Sequence, residues 1–259
     1  MAGMKQPLVI ANWKMNMTLS ETEDFVRRFA QEDVGSSGVE MVICAPFVAL
    51  SLLATLLRQS SLLLGAQNMH WEKEGAFTGE ISPLMLREIG VRYVIAGHSE
   101  RRIHFGETDG QAGKKVAAAF AFGLTPILCV GENDEERRAG KTEKVIQRQL
   151  LGAVSALDQD EQQRRLIVAY EPVWAIGTGM PADAGDAAVV ITFIRALLHE
   201  KWGERAVDAR ILYGGSVNPE NITAFTGSQG IDGALVGNSS LKPGSYAAMV
   251  RAVAAERRG

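Results

Sequence analysis

Eight short apolar runs recur along this chain, and they limit its fold more than any other feature. They span residues 8–12, 39–45, 62–67, 93–97, 126–130, 166–170, 210–213 and 233–236. Near-continuous apolar runs of this length read as parallel strands buried on both faces. Segments of helical period lie between them. Ser20-Glu21-Thr22-Glu23 reads as a capping box ahead of Phe25, Val26 and Phe29. Val116, Ala119 and Phe120 form a second apolar stripe, and Val145, Ile146, Gln149, Leu150 and Val154 a third. Asp186 is placed to cap a helix that turns Val189, Val190, Phe193, Ile194, Leu197 and Leu198 inward. Ser82-Pro83 and Asn218-Pro219 each set a capping residue before a proline at the first helical position. About eight strand–helix units predict one domain, 1–259, folded as a (β/α)₈ barrel: eight parallel strands inside an outer ring of helices. A doubly wound open sheet is the rival, but the unit count and the lack of a linker favour the barrel.

Composition removes several functions. Hydrophobic residues make up 46% and charged residues 22% of the 259, an ordinary soluble balance. The net charge of −3 lends no electrostatic support to a nucleic-acid or anionic-membrane partner. No apolar stretch reaches membrane-spanning length, and no signal-peptide core is visible at the N-terminus. Cys44 and Cys129 both sit inside apolar runs, which predicts buried thiols and a reducing compartment, the cytoplasm.

In such a barrel the chemistry lies where strands end. The first run ends in Asn12-Trp13-Lys14-Met15-Asn16, where a lysine can attract an anion and stabilise an oxyanion, or simply pair with an acid. The fourth ends in Gly97-His98-Ser99-Glu100-Arg101-Arg102, where His98 can serve as acid, base or hydrogen-bond donor. A Ser-His-Asp arrangement is disfavoured, because Ser99 adjoins His98. His70, His104 and His199 have weaker settings. The sixth ends in Tyr170-Glu171-Pro172, a single carboxylate before a glycine-bearing loop: a general base, or a surface charge. The seventh and eighth end in Tyr213-Gly214-Gly215-Ser216-Val217 and Val236-Gly237-Asn238-Ser239-Ser240, whose glycines let backbone N–H groups approach a phosphate. The stretch 177–182 fits G-x-G-x-x-A, but Glu171 to Ile176 separate it from its strand, so a dinucleotide site is not expected. Neither a metal nor an organic cofactor is expected, since no ligand cluster or Walker loop is visible.

These blocks, with Gly65-Ala66-Gln67-Asn68 and Gly75-Ala76-Phe77-Thr78-Gly79-Glu80, resemble the triosephosphate isomerase family, in family order across nearly the whole chain. The resemblance implies a TIM barrel and cofactor-free interconversion of dihydroxyacetone phosphate and D-glyceraldehyde 3-phosphate, a step of glycolysis and gluconeogenesis. It implies Glu171 as the base, His98 as the neutral electrophile, and Lys14 with Asn12 as the oxyanion-stabilising and substrate-binding pair. Glu100 and Ser99 stand behind them. Gly177, Ser216, Gly237 and Asn238 fall where the family offers N–H groups to phosphate. The segment 67–80, from Gln67 onward, resembles the family's dimer loop and implies a homodimer in which Thr78 reaches the partner's site; a self-packed surface loop is the alternative.

Two positions depart from the family pattern. Gly237-Asn238 replaces Gly-Gly, which raises the question of a left-handed asparagine and a crowded phosphate. Met180-Pro181-Ala182 forms the trailing hinge of the expected lid, where the proline is expected to alter lid kinetics without abolishing closure. Isomerisation of another short sugar phosphate, such as a tetrulose phosphate, is the alternative that keeps the machinery. A non-catalytic phosphate-ligand-binding or partner-binding barrel is the alternative that discards it. A class I aldolase would need a lysine where Glu171 stands.

Overall fold

The eight strands close on themselves in the computed structural model, which describes residues 5–34, 37–155, 157, 165–176 and 182–257. The chain runs β1 (Leu8–Asn12), α1 (Leu19–Phe29), β2 (Glu40–Ala45), α2 (Phe47–Leu56), β3 (Leu62–Ala66), α3 (Pro83–Glu88), β4 (Tyr93–Ala96), α4 (Ser99–Phe105) and α5 (Asp109–Ala121). It continues with β5 (Thr125–Val130), α6 (Asp134–Arg138), α7 (Thr142–Val154), β6 (Ile167–Tyr170), α8 (Ala184–Trp202), β7 (Arg210–Tyr213), α9 (Ile222–Thr226), β8 (Gly233–Val236) and α10 (Pro243–Glu256). Each strand pairs in parallel with its sequence neighbours, and β8 returns to β1, giving a TIM barrel. The open-sheet alternative is thereby excluded.

Strand alternation sorts the apolar residues into two layers. Leu8, Ile10, Val42, Cys44, Ile95, Ile127, Cys129, Ile167, Ala169, Leu212 and Leu235 fill the barrel. Their neighbours along each strand, such as Val9, Ala11, Ile43, Val94, Leu128 and Val168, face outward against the helices. Tyr93 also faces inward and donates its hydroxyl proton to Glu40 at the barrel floor. Arg210 meets the same carboxylate at 3.0 Å. Both cysteines are free and buried, as expected.

The stripes on α5 and α7 are buried as read: Val116, Ala119, Phe120, Val145, Ile146, Gln149, Leu150 and Val154 all turn inward. Ser82 caps α3 ahead of Pro83, accepting from the Met85 N–H. Asn218 does cap, accepting from the Glu220 and Asn221 N–H groups, but it caps a turn; α9 starts only at Ile222. Three readings need correction. The capping box of α1 is Thr18 with Glu21, not Ser20 with Glu23; both pairs have the right spacing, and the helix begins one residue after Thr18. Asp183, not Asp186, caps α8. Val189 is exposed, while Val190 and Phe193 are partly buried, so the inward face of α8 is narrower than its apolar content suggests.

The seam between β1 and β8 places Gly233 opposite Leu8. Its φ of 154° lies at the edge of the glycine-favouring range, and a Cβ there would run into the Leu8 carbonyl. Gly233→Ala should therefore lower unfolding free energy by at least about 2 kcal/mol in urea titrations, with the barrel's seam pushed apart. A variant as stable as the parent would show that the seam yields at no cost.

Candidate active site

Lys14 stands just past β1 in an unusual backbone state for a non-glycine residue, with φ of 53°. Its N–H donates to the Asn12 side-chain oxygen at 3.1 Å, and its Nζ lies 2.6 Å from Glu100 Oε1. Asn12 is buried at the end of β1. The lysine is thus aimed across the top of the barrel and held by an acid from another strand end.

β4 stops at Ala96, and Gly97, at φ of 70°, makes the turn that starts α4. Glu107 fixes that turn. Its buried carboxylate accepts from the Gly97 N–H at 2.8 Å and meets Arg101 and Lys115, each at 2.6 Å. His98 follows as the N-cap of α4, with Nδ1 accepting the Glu100 N–H at 3.2 Å. An occupied Nδ1 leaves the proton on Nε2. Nε2 lies 3.0 Å from Glu171 Oε1. The second carboxylate oxygen, Oε2, accepts from the Ser99 N–H, also at 3.0 Å. Ser99 therefore meets Glu171 through its backbone, as befits a residue too close to His98 for a triad.

Glu171 follows β6 directly, and its own N–H is held by the Val130 carbonyl at 2.8 Å. It is only 2% exposed. Gly131 passes so close that a Cβ would strike the Glu171 carbonyl. Burial pushes the Glu171 pKa up, but the His98 ring and the Ser99 N–H outweigh it and hold the carboxyl below the ordinary range. Burial alone would lower the His98 pKa; the Glu171 carboxylate overrides it and raises the value. A second ring proton would have to sit on Nδ1, where the Glu100 N–H already points, so we assign a neutral imidazole that donates from Nε2. The Cys129 thiol, buried and next to the same carboxylate, is pushed well up and stays protonated.

A cavity of about 260 Å³ opens above these groups. Asn12, Lys14, His98 and Glu171 line it, together with Gly214 to Asn218 and Gly237 to Ser239. The structure thus brings Asn12, Lys14, His98, Glu171, Ser216, Gly237 and Asn238 around one space. The Ser216 hydroxyl donates to the Ala175 carbonyl at 2.6 Å, which leaves its backbone N–H as the group to offer an anion. Neither Gly237, at φ of −84°, nor Asn238 adopts a left-handed conformation; Asn238 opens a 3₁₀ turn, Asn238–Leu241. Asparagine therefore meets no backbone penalty there. Gly177 and the hinge residues Met180 and Pro181 lie outside the described residues, as does most of the rejected dinucleotide pattern. Thr78 is exposed on its own loop, away from this cavity, and Gln67 lies under Lys14. His199 is on the surface of α8, and His70 accepts from the Glu72 N–H within loop 67–80. Among the described residues no group of three or more His, Cys, Asp or Glu could hold a metal ion. No described helix is long and apolar enough to cross a membrane.

Two buried acids escaped the sequence reading. Glu107 has just been placed beneath Gly97. Glu132, fully buried after β5, accepts from the Tyr170 hydroxyl at 3.2 Å and from Trp174 Nε1 at 2.9 Å. Its carbonyl takes the Val173 N–H. Downstream, the Ala182 N–H donates to the Tyr213 hydroxyl at 3.1 Å, so both flanks of 177–181 are tied down. Glu132 stands two residues past the apolar run 126–130, and that place, informative at the other strand ends, is the signal that could have found it. Nothing in the sequence around Glu107 distinguishes it.

The triosephosphate isomerase family model matches residues 7–253. A triosephosphate isomerase from Dictyoglomus thermophilum is 50% identical over 244 residues, covering 94% of this chain and 98% of that protein. Those of Carboxydothermus hydrogenoformans and Symbiobacterium thermophilum are each 51% identical, over 249 and 255 residues. These alignments cover 96% and 98% of this chain and 99% of each relative.

The Glu171 contacts have a pH signature. A carboxyl whose folded pKa is depressed contributes stability that is complete above its unfolded value and is lost as pH falls through the folded one. Below about pH 4.5, the ordinary glutamate value, the parent should therefore lose melting temperature faster than Glu171→Gln. Parallel melting curves from about pH 7 to 3 would rule out the depressed carboxyl.

Proposed function

We propose that this chain, which belongs to the triosephosphate isomerase family, interconverts dihydroxyacetone phosphate and D-glyceraldehyde 3-phosphate with Glu171 as its base. The observation that carries the reading is the meeting of Glu171, His98 and Lys14, from three different strand ends, at the wall of one cavity.

The reaction moves a proton between adjacent carbons. Glu171 takes it from the carbon beside the carbonyl, and negative charge builds on the carbonyl oxygen as an enediolate. His98 Nε2–H donates to that oxygen, and the Lys14 ammonium stabilises the charge; groups aimed this way lower such barriers by several kcal/mol. The hydroxyl proton on the first carbon passes to the enediolate oxygen on the second by way of His98 Nε2, and Glu171 returns its own proton to that second carbon, so that carbonyl and hydroxyl have exchanged places. As observed, the carboxylate occupies both donors itself, at 3.0 Å each. A base in that state is weak. Substrate that takes the His98 proton donor for its carbonyl also takes it from Glu171. A buried carboxylate stripped of a donor becomes a stronger base. One displacement thus readies both the electrophile and the base. The phosphate is assigned to the N–H groups of Ser216, Gly237 and Asn238, with the Lys14 charge nearby. Gly177 and a lid over the cavity belong to the same reading, on the strength of family membership. No observation favours a longer sugar phosphate, since Asn238 fits its turn without distortion.

The same reading includes a cytoplasmic homodimer assembled through residues 67–80. Met15, Phe47, Phe77, Met85 and Phe105 are exposed. Phe77 and Trp71 flank the His70 ring at 4.1 and 4.2 Å, so the loop holds its own shape while presenting Phe77 outward. Beside the site lies a second cavity of about 270 Å³, whose walls include Asn12, Lys14, Gln67, His98, Glu100 and Phe105. A partner's Thr78 is of a size and polarity to enter it.

Glu171→Asp withdraws the carboxylate by one methylene. It should keep the fold and phosphate binding yet lose turnover by about 10²-fold or more in a coupled assay on glyceraldehyde 3-phosphate. Near-parent turnover would remove Glu171 from its role. Thr78→Arg should shift the protein to monomers in sedimentation and depress activity with it. A fully active dimer would exclude Thr78 from the interface.

A further inference from the structure

The Gln67 side chain reaches back under Lys14. Its Nε2 lies 2.9 Å from the Lys14 carbonyl and 3.0 Å from the Cys44 carbonyl. An amide nitrogen has two N–H donors, and both are used here. Two carbonyl acceptors also identify the facing atom as nitrogen rather than oxygen. Gln67 therefore ties the end of β2 to the loop that follows β1.

The residue it grips is one of two described non-glycine residues, with Met17, whose φ is positive. Lys14 is a non-glycine residue at φ of 53°, a state that persists only when its surroundings over-determine it. The surroundings do so from both sides. Asn12 Oδ1 takes the Lys14 N–H, and Gln67 Nε2–H supplies the Lys14 carbonyl. The preceding carbonyl, of Trp13, is held by Asn16 Nδ2 at 2.6 Å. The ammonium at the far end of Lys14 is then set by a backbone that cannot relax.

We infer that Gln67 is a positioning residue for the reaction, acting through Lys14 by holding its left-handed peptide, and not solely the first residue of a docking loop. This rests on the role proposed above for Lys14.

Four enzymes test it: the parent, Gln67→Met, Lys14→Ala and the double variant. Gln67→Met keeps length and bulk but removes both donors, and should lower kcat/KM by about 10- to 100-fold with the dimer intact in sedimentation at assay concentration. Lys14→Ala should lower it further. The double variant should match Lys14→Ala within about twofold, because Gln67 has nothing left to position. Losses that multiply overturn the inference, as does parent activity in Gln67→Met. So does a Gln67→Met defect that vanishes at higher protein concentration, which would mark a docking role. Parent-like activity in Lys14→Ala overturns instead the role given to Lys14. If Gln67→Met fails to fold, Gln67→Glu replaces it. Its loss should shrink as pH falls from about 8 toward 6, when a protonated carboxyl regains one donor; a loss that is flat with pH overturns the inference.

Discussion

Closing β8 onto β1 pairs every strand on both sides, so no backbone edge is left to satisfy elsewhere. The closure also imposes order on the side chains. Each strand residue must face either the barrel interior or the helices, and both places are dry. Polar chemistry is thereby displaced to the strand ends: Glu40, Tyr93 and Arg210 at the floor, and at the other end Asn12 and the turns that follow the strands. Parallel pairing gathers those turns at one end. The cavity above Asn12, His98, Glu171 and the loops after β7 and β8 follows from this geometry.

At that end the carboxylate of Glu171 presents the hardest electrostatic problem. It is buried, and the groups nearest to it are a neutral ring N–H and a backbone N–H rather than a cation. Lys14, a cation at the rim, is paired with Glu100. Charges are therefore separated into two partnerships. Supporting groups repeat the theme one layer down. Glu107 secures the turn before His98, and Glu132 secures the segment after Glu171.

The sequence made the strands and most of the site legible because both depend on local pattern. Apolar runs buried on two faces are unmistakable, and Lys14, His98 and Glu171 became candidates by where those runs stop, while Asn12 and the roles of all four came from the family resemblance. Helix starts were less legible. Thr18 and Ser20 each have a glutamate three residues on, and only tertiary packing decides which turn is helical. Asp183 against Asp186 is the same ambiguity. Val189 was misassigned because α8 carries more apolar residues than its buried face can accept. Glu132 stood at a strand end whose signal was passed over, whereas Glu107 was unreadable for a deeper reason: a buried acid is identified by its partners, and those lie on other elements. The backbone contact of Gln67 with Lys14 bridges 53 residues and leaves no local trace.

The two thiols inside the barrel have a consequence for how the molecule can be watched. Cys44 and Cys129 have no exposed surface, and burial holds both protonated. A thiol reagent finds no anion to attack and no route to it while the strands remain joined. Their modification is thereby slaved to the opening of the barrel itself, and the two sulfurs act as internal clocks for the lifetime of the native state.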